Sequence, residues 1–258
     1  MAPSTYRKLQ DKHVLVIGGS SGIGYAVADG ALASGAKVSV SSSSQEKVDA
    51  AVGRLKSEYP EQPSIQGFAF DLSNPESLEA NLESLFTTAQ SQQGTVNHVI
   101  FTAADSLAIG SLDGVTPALI HQASQMRFVV PLILGKVAAR HLSKTTESSI
   151  ILTTGSVAEK PAPGWSLFSY FGGGLSSLTK GLAVDLAPVR VNAVRPGYVD
   201  TELWKADQKA LVEPILKEKS LTGKFGKPED VAEAYLWLLK DENVTGTVAG
   251  TDGGILLA

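Results

Sequence analysis

Three glycines in the spacing Gly18-x3-Gly22-x-Gly24 follow the apolar run Val14–Ile17 and lead into a stretch with helical periodicity. Residues of that type and spacing make an anion cradle. Without Cβ atoms the backbone can turn sharply, approach a pyrophosphate and lay helix close on strand. A helix starting near Gly22 then points unpaired N–H groups and a partial positive charge at the phosphates. Ser20, Ser21 and Ile23 complete the turn. A second set, Ser41-Ser-Ser-Ser44, ends the next apolar run. Hydroxyls without an acid suit the 2′-phosphate of NADP better than the ribose diol of NAD, although no Arg or Lys stands among them to strengthen the bond. Two more residues are conspicuous. Arg127 interrupts the apolar stretch Met126–Val130, where an unpaired buried cation would be costly; the plain alternative is a stem crossing an apolar face to reach water. Trp165 ends the Pro- and Gly-rich loop Thr154–Trp165 and offers either an aromatic pocket wall or a plug onto the core.

The elements that must position these residues alternate. Apolar runs read as strands at 14–17, 37–40, 66–70, 98–101, 149–153, 189–194 and 246–251. Helices are expected at 25–34, ended by a left-handed Gly35, and at 45–58, 73–92, 117–142, 167–186 and 228–239. Pro131 inside 117–142 predicts a kink or break. Leu175, Leu178, Leu182 and Leu186 recur at helical spacing despite the run Gly172–Gly174. Residues 200–226 read as a polar lid. Strands alternating with helices predict an α/β fold, a doubly wound parallel sheet of about seven strands with helices on both faces.

With 258 residues, 43% of them hydrophobic, and no long linker, the chain reads as one domain spanning 1–258. A net charge of −4 offers no basic field for nucleic acid or an anionic membrane. The absence of cysteine excludes disulfides and thiol catalysis. His13, His98, His121 and His141 lack metal-ligand spacing and read as structural, so no metal is expected. With no signal peptide and no membrane-length apolar run, the expectation is a cytoplasmic protein acting on a small molecule.

Together with Asp71, Pro196-Gly197 and Thr251-Asp-Gly-Gly254, the glycine spacing resembles the short-chain dehydrogenase/reductase family over nearly the whole chain, with Ile17 where that family usually has Thr. The resemblance implies a single-domain Rossmann fold and a homodimer or homotetramer formed through its fourth and fifth helices. It implies NADP(H) held by Gly18, Ser20, Ser21, Gly22, Ile23 and Gly24, with Ser41, Ser42 and Ser43 at the ribose end and Asp71 and Leu72 beside the adenine. Ala103 and Ala104, where the usual Asn-Asn-Ala-Gly reads Phe101-Thr-Ala-Ala, and Pro196, Gly197, Val199 and Thr201 complete the cofactor side.

The family's Ser–Tyr–Lys set is missing. Registered on Leu178-Thr179-Lys180, the tyrosine position falls on Phe168, the lysine position on Gly172 and the serine position on Gly155, while the supporting asparagine falls near Arg127. Tyr170 lies two residues from Phe168, hence on the opposite helix face, and its partner four residues on is Gly174. Ser156 reads as a turn hydroxyl. This pattern resembles the atypical fungal branch of the malbrancheamide and paraherquamide pathways, reductases that are also Diels–Alderases. There an acid precedes the tryptophan; this chain has Ala162, with Glu159 upstream. The expectation is an NADPH-dependent reductase acting on an iminium or carbonyl through Arg127 and Trp165, with a possible coupled cyclisation. The alternatives are a cofactor-binding pseudoenzyme or sensor and a non-redox cyclase.

Overall fold

Short apolar strands that cannot face water on either side set the architecture. His13–Ile17 (β1) and His98–Phe101 (β4) are buried along their whole length, and such runs are stable in a parallel sheet covered on both faces. The computed structural model describes residues 4–62, 64–105, 110–204 and 206–258. In it these two strands join Lys37–Ser42 (β2), Ile65–Ala69 (β3), Ser149–Thr153 (β5), Arg190–Pro196 (β6) and Val248–Thr251 (β7). The seven strands run in the order β3-β2-β1-β4-β5-β6-β7, every pair parallel. The order reverses between β1 and β4, and open sheets of this kind bind ligands in the crevice beyond that point.

Side chains alternate between two cores, as a pleated strand requires. Val14 and Val16 pack with Val27 of Gly22–Ala33 (α1), Leu55 of Gln45–Glu58 (α2) and Leu236 of Pro228–Lys240 (α8). Leu15 and Ile17 pack on the other face with Leu82 of Leu78–Gln93 (α3), Leu134 of Val130–His141 (α5) and Leu175 of Ser166–Asp185 (α6). The expected doubly wound sheet is present.

Differences from expectation have local causes. α3 starts at Leu78 rather than near 73, because the Asp71 and Asn74 carboxyl and amide oxygens take the N–H groups of Ser73 and Glu76 in successive turns. The stretch 117–142 is helical throughout, but its break is not at Pro131: Pro117–Ser124 (α4) runs into a π-helical turn, Gln125–Val129, and Pro131 sits in the first turn of α5, where it is tolerated. α6 continues through Gly172–Gly174, where Cβ atoms at Gly172 and Gly174 would lie 2.9 Å from Ala158 and 3.3 Å from Phe128. Part of the expected lid is the helix Ala206–Lys219 (α7); residue 205 lies outside the described residues. Phe128, Leu132 and Tyr170 are exposed on the outer side of the π turn, α5 and α6, where the resemblance puts contacts between copies. Among the described residues no helix is long and apolar enough to cross a membrane, and no group of His, Asp or Glu could hold a metal ion.

Two histidines lie at the foot of the sheet. His13 Nε2 meets Ser39 Oγ at 2.8 Å, and His98 Nδ1 meets Ser149 Oγ at 2.9 Å. Burial, helped by the charges of Arg190 and Lys12, lowers the His98 pKa to about 3. The folded pKa is below the unfolded one, so the stability this neutral ring carries is full above about pH 6.5 and is lost progressively as pH falls from there to about 3. Chemical denaturation of the wild type should show a loss of about 2 kcal/mol from this residue between pH 7 and pH 5, and His98→Asn should flatten the slope by that amount. An unchanged slope in the variant would contradict the assignment.

Candidate active site

The cleft at the switch point encloses about 1230 Å³, and every residue assigned to the cofactor from sequence lines it, with Arg127 and Trp165. Its floor is the turn after β1. Gly18 has φ +93°, and a Cβ there would sit 2.7 Å from the Ala103 Cα; one on Gly24 would sit 2.9 Å from the Gly18 carbonyl carbon. Only glycine permits this approach. The turn is pinned on both sides. The N–H groups of Gly18 and Gly19 donate to the Ser41 carbonyl at 2.8 and 3.2 Å, and those of Thr102 and Ala103 donate to the Ile17 carbonyl at 2.9 and 3.1 Å. Thr102 Oγ1 also donates to the carbonyls of Ile17 and Gly18 at 3.2 Å, replacing the amide side chains that the resemblance led one to expect. The Ser21 side chain makes no capping bond at the start of α1, which leaves the turn's N–H groups directed at the cleft. A pyrophosphate fits that opening.

The four serines divide. Ser41 is buried in β2 and Ser44 caps α2 by accepting from the Lys47 N–H at 3.4 Å. Ser42 and Ser43 remain open to the cleft, and Lys47, the third residue of α2, lines it too. Lys47 thus brings a cation to the lining that the serine run itself does not have. Sequence reasoning missed it because it lies in α2; its place in the first turn of the helix that Ser44 caps was the available signal. Where the resemblance puts the adenine, Asp71 Oδ1 accepts from the Ser73 N–H at 2.8 Å, which holds its carboxyl below the ordinary range. Leu72 is buried beneath it, its carbonyl bonded by Gln125 Nε2 at 3.1 Å. On the other bank Gly197 donates to the Thr251 carbonyl at 3.1 Å, and Val199 is buried. Thr201 reaches across to the phosphate turn, 3.1 Å from where a Cβ on Gly22 would be.

The π turn aims Arg127 inward. Its side chain is 11% exposed and pairs with the Asp105 carboxylate, while Nη2 donates to the Asp105 carbonyl at 2.8 Å. The guanidinium carbon lies 4.5 Å from the centre of the Phe168 ring. Burial lowers its pKa to about 10, and it stays charged at neutral pH. This is not an arginine reaching for solvent. Phe168, 7% exposed, thus presents an edge-bounded apolar surface at the tyrosine position. At the lysine position Gly172 is backed by Ala158, and its carbonyl is bonded by Thr154 Oγ1 at 2.9 Å. Tyr170, 64% exposed, is outside the cleft. Ser156 lines it from a single turn of 3-10 helix, Ser156–Ala158. Glu159 turns away to Arg195, so the acid that meets Arg127 comes from the loop after β4.

Trp165 has aromatic company. Its ring centre is 5.6 Å from that of Phe168 and 6.4 Å from that of Trp204, which stacks on Tyr198 at 5.5 Å. Trp204 belongs to the stretch 200–226 taken as a polar lid, and Tyr198 lies just before it; neither was singled out from sequence. A tryptophan, scarce in this chain, set a few residues after Pro196-Gly197 was the available signal.

Fold and site define a nicotinamide-dependent oxidoreductase. The chain matches the family described as an SDR-like Rossmann domain over residues 6–258. It is 42% identical over 257 residues to the short-chain dehydrogenase/reductase fsr5 of Gibberella fujikuroi, covering 97% of both chains. The solved MalC reductase/Diels–Alderase from Malbranchea aurantiaca is 39% identical and matches with a TM-score of 0.93 over 99% of this chain and 100% of that one. A short chain dehydrogenase from Burkholderia cenocepacia, solved with NADP and 27% identical, matches with a TM-score of 0.84 over 96% of this chain and 99% of that one. This chain belongs to the short-chain dehydrogenase/reductase family.

Arg127 is held in an apolar floor by its carboxylate partner. Asp105→Ala should lower unfolding stability by about 1 to 3 kcal/mol, the partial exposure of Asp105 limiting the loss, and Asp105→Asn by less, since it keeps an acceptor. Denaturant titration showing no loss in Asp105→Ala would contradict the pairing.

Proposed function

We propose that this chain is an NADPH-dependent reductase of a small, cyclic carbon–nitrogen double bond, an iminium in a secondary-metabolite-like substrate. The observation that carries the reading is Phe168 at the tyrosine position with Gly172 backed against Ala158. When bound, the dihydronicotinamide supplies a hydride. A ketone receiving it becomes an alkoxide and needs a proton at once, which a positioned acid gives with roughly a hundredfold or greater benefit. An iminium receiving it becomes a neutral amine and needs none. A site without a phenol or lysine ammonium suits the second acceptor.

The chain's own groups then have separate tasks. The turn at Gly18–Gly24 holds the pyrophosphate, and Ser42, Ser43 and Lys47 hold the 2′-phosphate. Arg127, neutralised by Asp105, donates to a carbonyl or amide oxygen of the substrate rather than to the reacting carbon, since a bare cation beside an iminium would repel it. The faces of Trp165 and Trp204 stabilise the positive charge by about 0.5 to 2 kcal/mol and exclude water. A coupled cyclisation would use the same rings as a mould. The Malbranchea structure is of a protein described as a Diels–Alderase, but Ala162 stands where the resemblance puts an acid in that loop, so reduction is the activity proposed first.

Calorimetry should show NADPH binding about ten- to a hundredfold more tightly than NADH, the value of one or two hydroxyl and ammonium bonds to phosphate. Lys47→Glu should erase the gap and Ser42→Asp reverse it; equal affinities in the wild type would sink the NADP assignment.

For the reaction, purified protein with NADPH is offered N-methyl-3,4-dihydroisoquinolinium and its ketone analogue 1-tetralone, following cofactor oxidation at neutral pH. Turnover of the iminium, with the ketone slower by about a hundredfold, is expected. Ketone reduction alone would refute the reading, and silence on both would favour a cofactor-binding protein without turnover.

A further inference from the structure

The seven residues after β7 are folded back across the cleft by contacts that neither the cofactor nor the proposed reaction explains. Asp252 Oδ1 accepts from the Gly254 N–H at 3.0 Å and starts a tight turn, with Gly253 and Gly254 at φ +66° and +75°. The turn is fastened at three places. Arg195, itself paired with Glu159, reaches Asp252 Oδ2 at 3.3 Å. The Gly253 carbonyl accepts from the Thr222 N–H at 3.2 Å and from Ser220 Oγ at 3.1 Å. Lys160, in the loop before Trp165, donates to the Ile255 carbonyl at 2.9 Å and to the Ala258 carbonyl. The outcome is that Ile255, an apolar side chain just outside a strand, is 8% exposed and lines the cleft next to Lys160.

A lysine in a ligand cleft invites assignment to a substrate anion. The geometry gives it a different task, because its ammonium is spent on main-chain carbonyls. The partners of the turn are also informative: one is the loop carrying Trp165, another is the segment that follows α7. Ile255 therefore sits where the loop before Trp165 and the segment after α7 meet at the cleft.

We propose that Ile255 is a specificity-determining wall of the substrate compartment and that Lys160 is the positioning residue that holds it there. A branched apolar group fixed by backbone bonds sets the length of substituent the compartment accepts. One methylene more or less in such a pocket changes kcat/KM by about ten- to two-hundredfold. The role is separate from the acceptor chemistry; it rests on the reductase reading only for its first measurement.

That measurement compares wild type, Ile255→Ala, Ile255→Phe, Lys160→Met and Lys160→Arg on dihydroisoquinolinium ions with N-methyl, N-butyl and N-octyl groups. Ile255→Ala and Lys160→Met should move the preference toward the longer chains by about tenfold or more, and Ile255→Phe toward the shortest. Lys160→Arg, which still donates to carbonyls, should restore the wild-type order, and the affinity for NADPH should be the same in all. A chain-length order unchanged by both Ile255 substitutions overturns the proposal. If the wild type reduces none of the ions, the reductase reading falls and a second measurement decides the wall alone. Ile255→Cys puts a single thiol into a chain that has none, and its modification by 5,5′-dithiobis(2-nitrobenzoate) reports exposure. Slow modification, made about tenfold or more faster by Lys160→Met, supports the proposal; equal rates with and without the lysine overturn it.

Discussion

A full positive charge in an apolar floor is the constraint around which the substrate half is arranged. Transfer of a guanidinium out of water is affordable only with a carboxylate and further acceptors close by, and the chain supplies these from three directions. The π turn between α4 and α5 lowers Arg127 into the cleft, the loop after β4 brings Asp105 to it, and α6 puts the Phe168 ring beneath it. Around this pair two groups that the family normally uses are gone. The ring displaces the phenol, and the approach of Ala158 to Gly172 closes the space for a lysine. A net-neutral pair in a greasy pocket polarises and orients without contributing a labile proton near pH 7, in keeping with the proposed acceptor, one that arrives charged and leaves neutral.

The cofactor half obeys a separate and simpler rule. Its floor is a backbone-to-backbone approach between the first turn and the end of β4, so its requirements fall on residues that lack side chains and on hydrogen bonds between main-chain groups. Such requirements tolerate extensive change elsewhere. They explain how a chain can lose the reactive set and keep the cradle, and why Thr102 can take over local bonding with one hydroxyl.

Sequence reading did best where one stretch determines its own conformation. The helix Gln45–Glu58 was legible to the residue because Ser44 caps it and an apolar stripe continues it. Gly35 was legible as a left-handed stop because only local backbone geometry is involved. The glycine turn was legible for the same reason, whereas the placing of Phe168 and Gly172 came from the register of the family resemblance. What stayed hidden depends on partners distant in the chain. Pro131 drew attention as the breaker of 117–142, whereas the irregularity falls at Gln125–Val129, where Gln125 is tied to the Leu72 carbonyl more than fifty residues earlier. Asp105, Tyr198 and Trp204 acquire meaning only once β4, β6 and α6 converge, and Lys47 only once the end of β2 is extended by two residues.

The π turn carries one more consequence, for insertion and deletion. Five residues there sweep roughly the angle that four sweep in ordinary winding, about 400°, so one residue fewer would restore a regular helix and leave α4 and α5 on the faces they occupy now. The loss would fall on the widened turn itself, the backbone that holds Arg127 over Phe168. The length of this segment is as much a part of the site as the arginine it presents, and a lineage that trimmed it could keep both flanking helices and still lose the pocket.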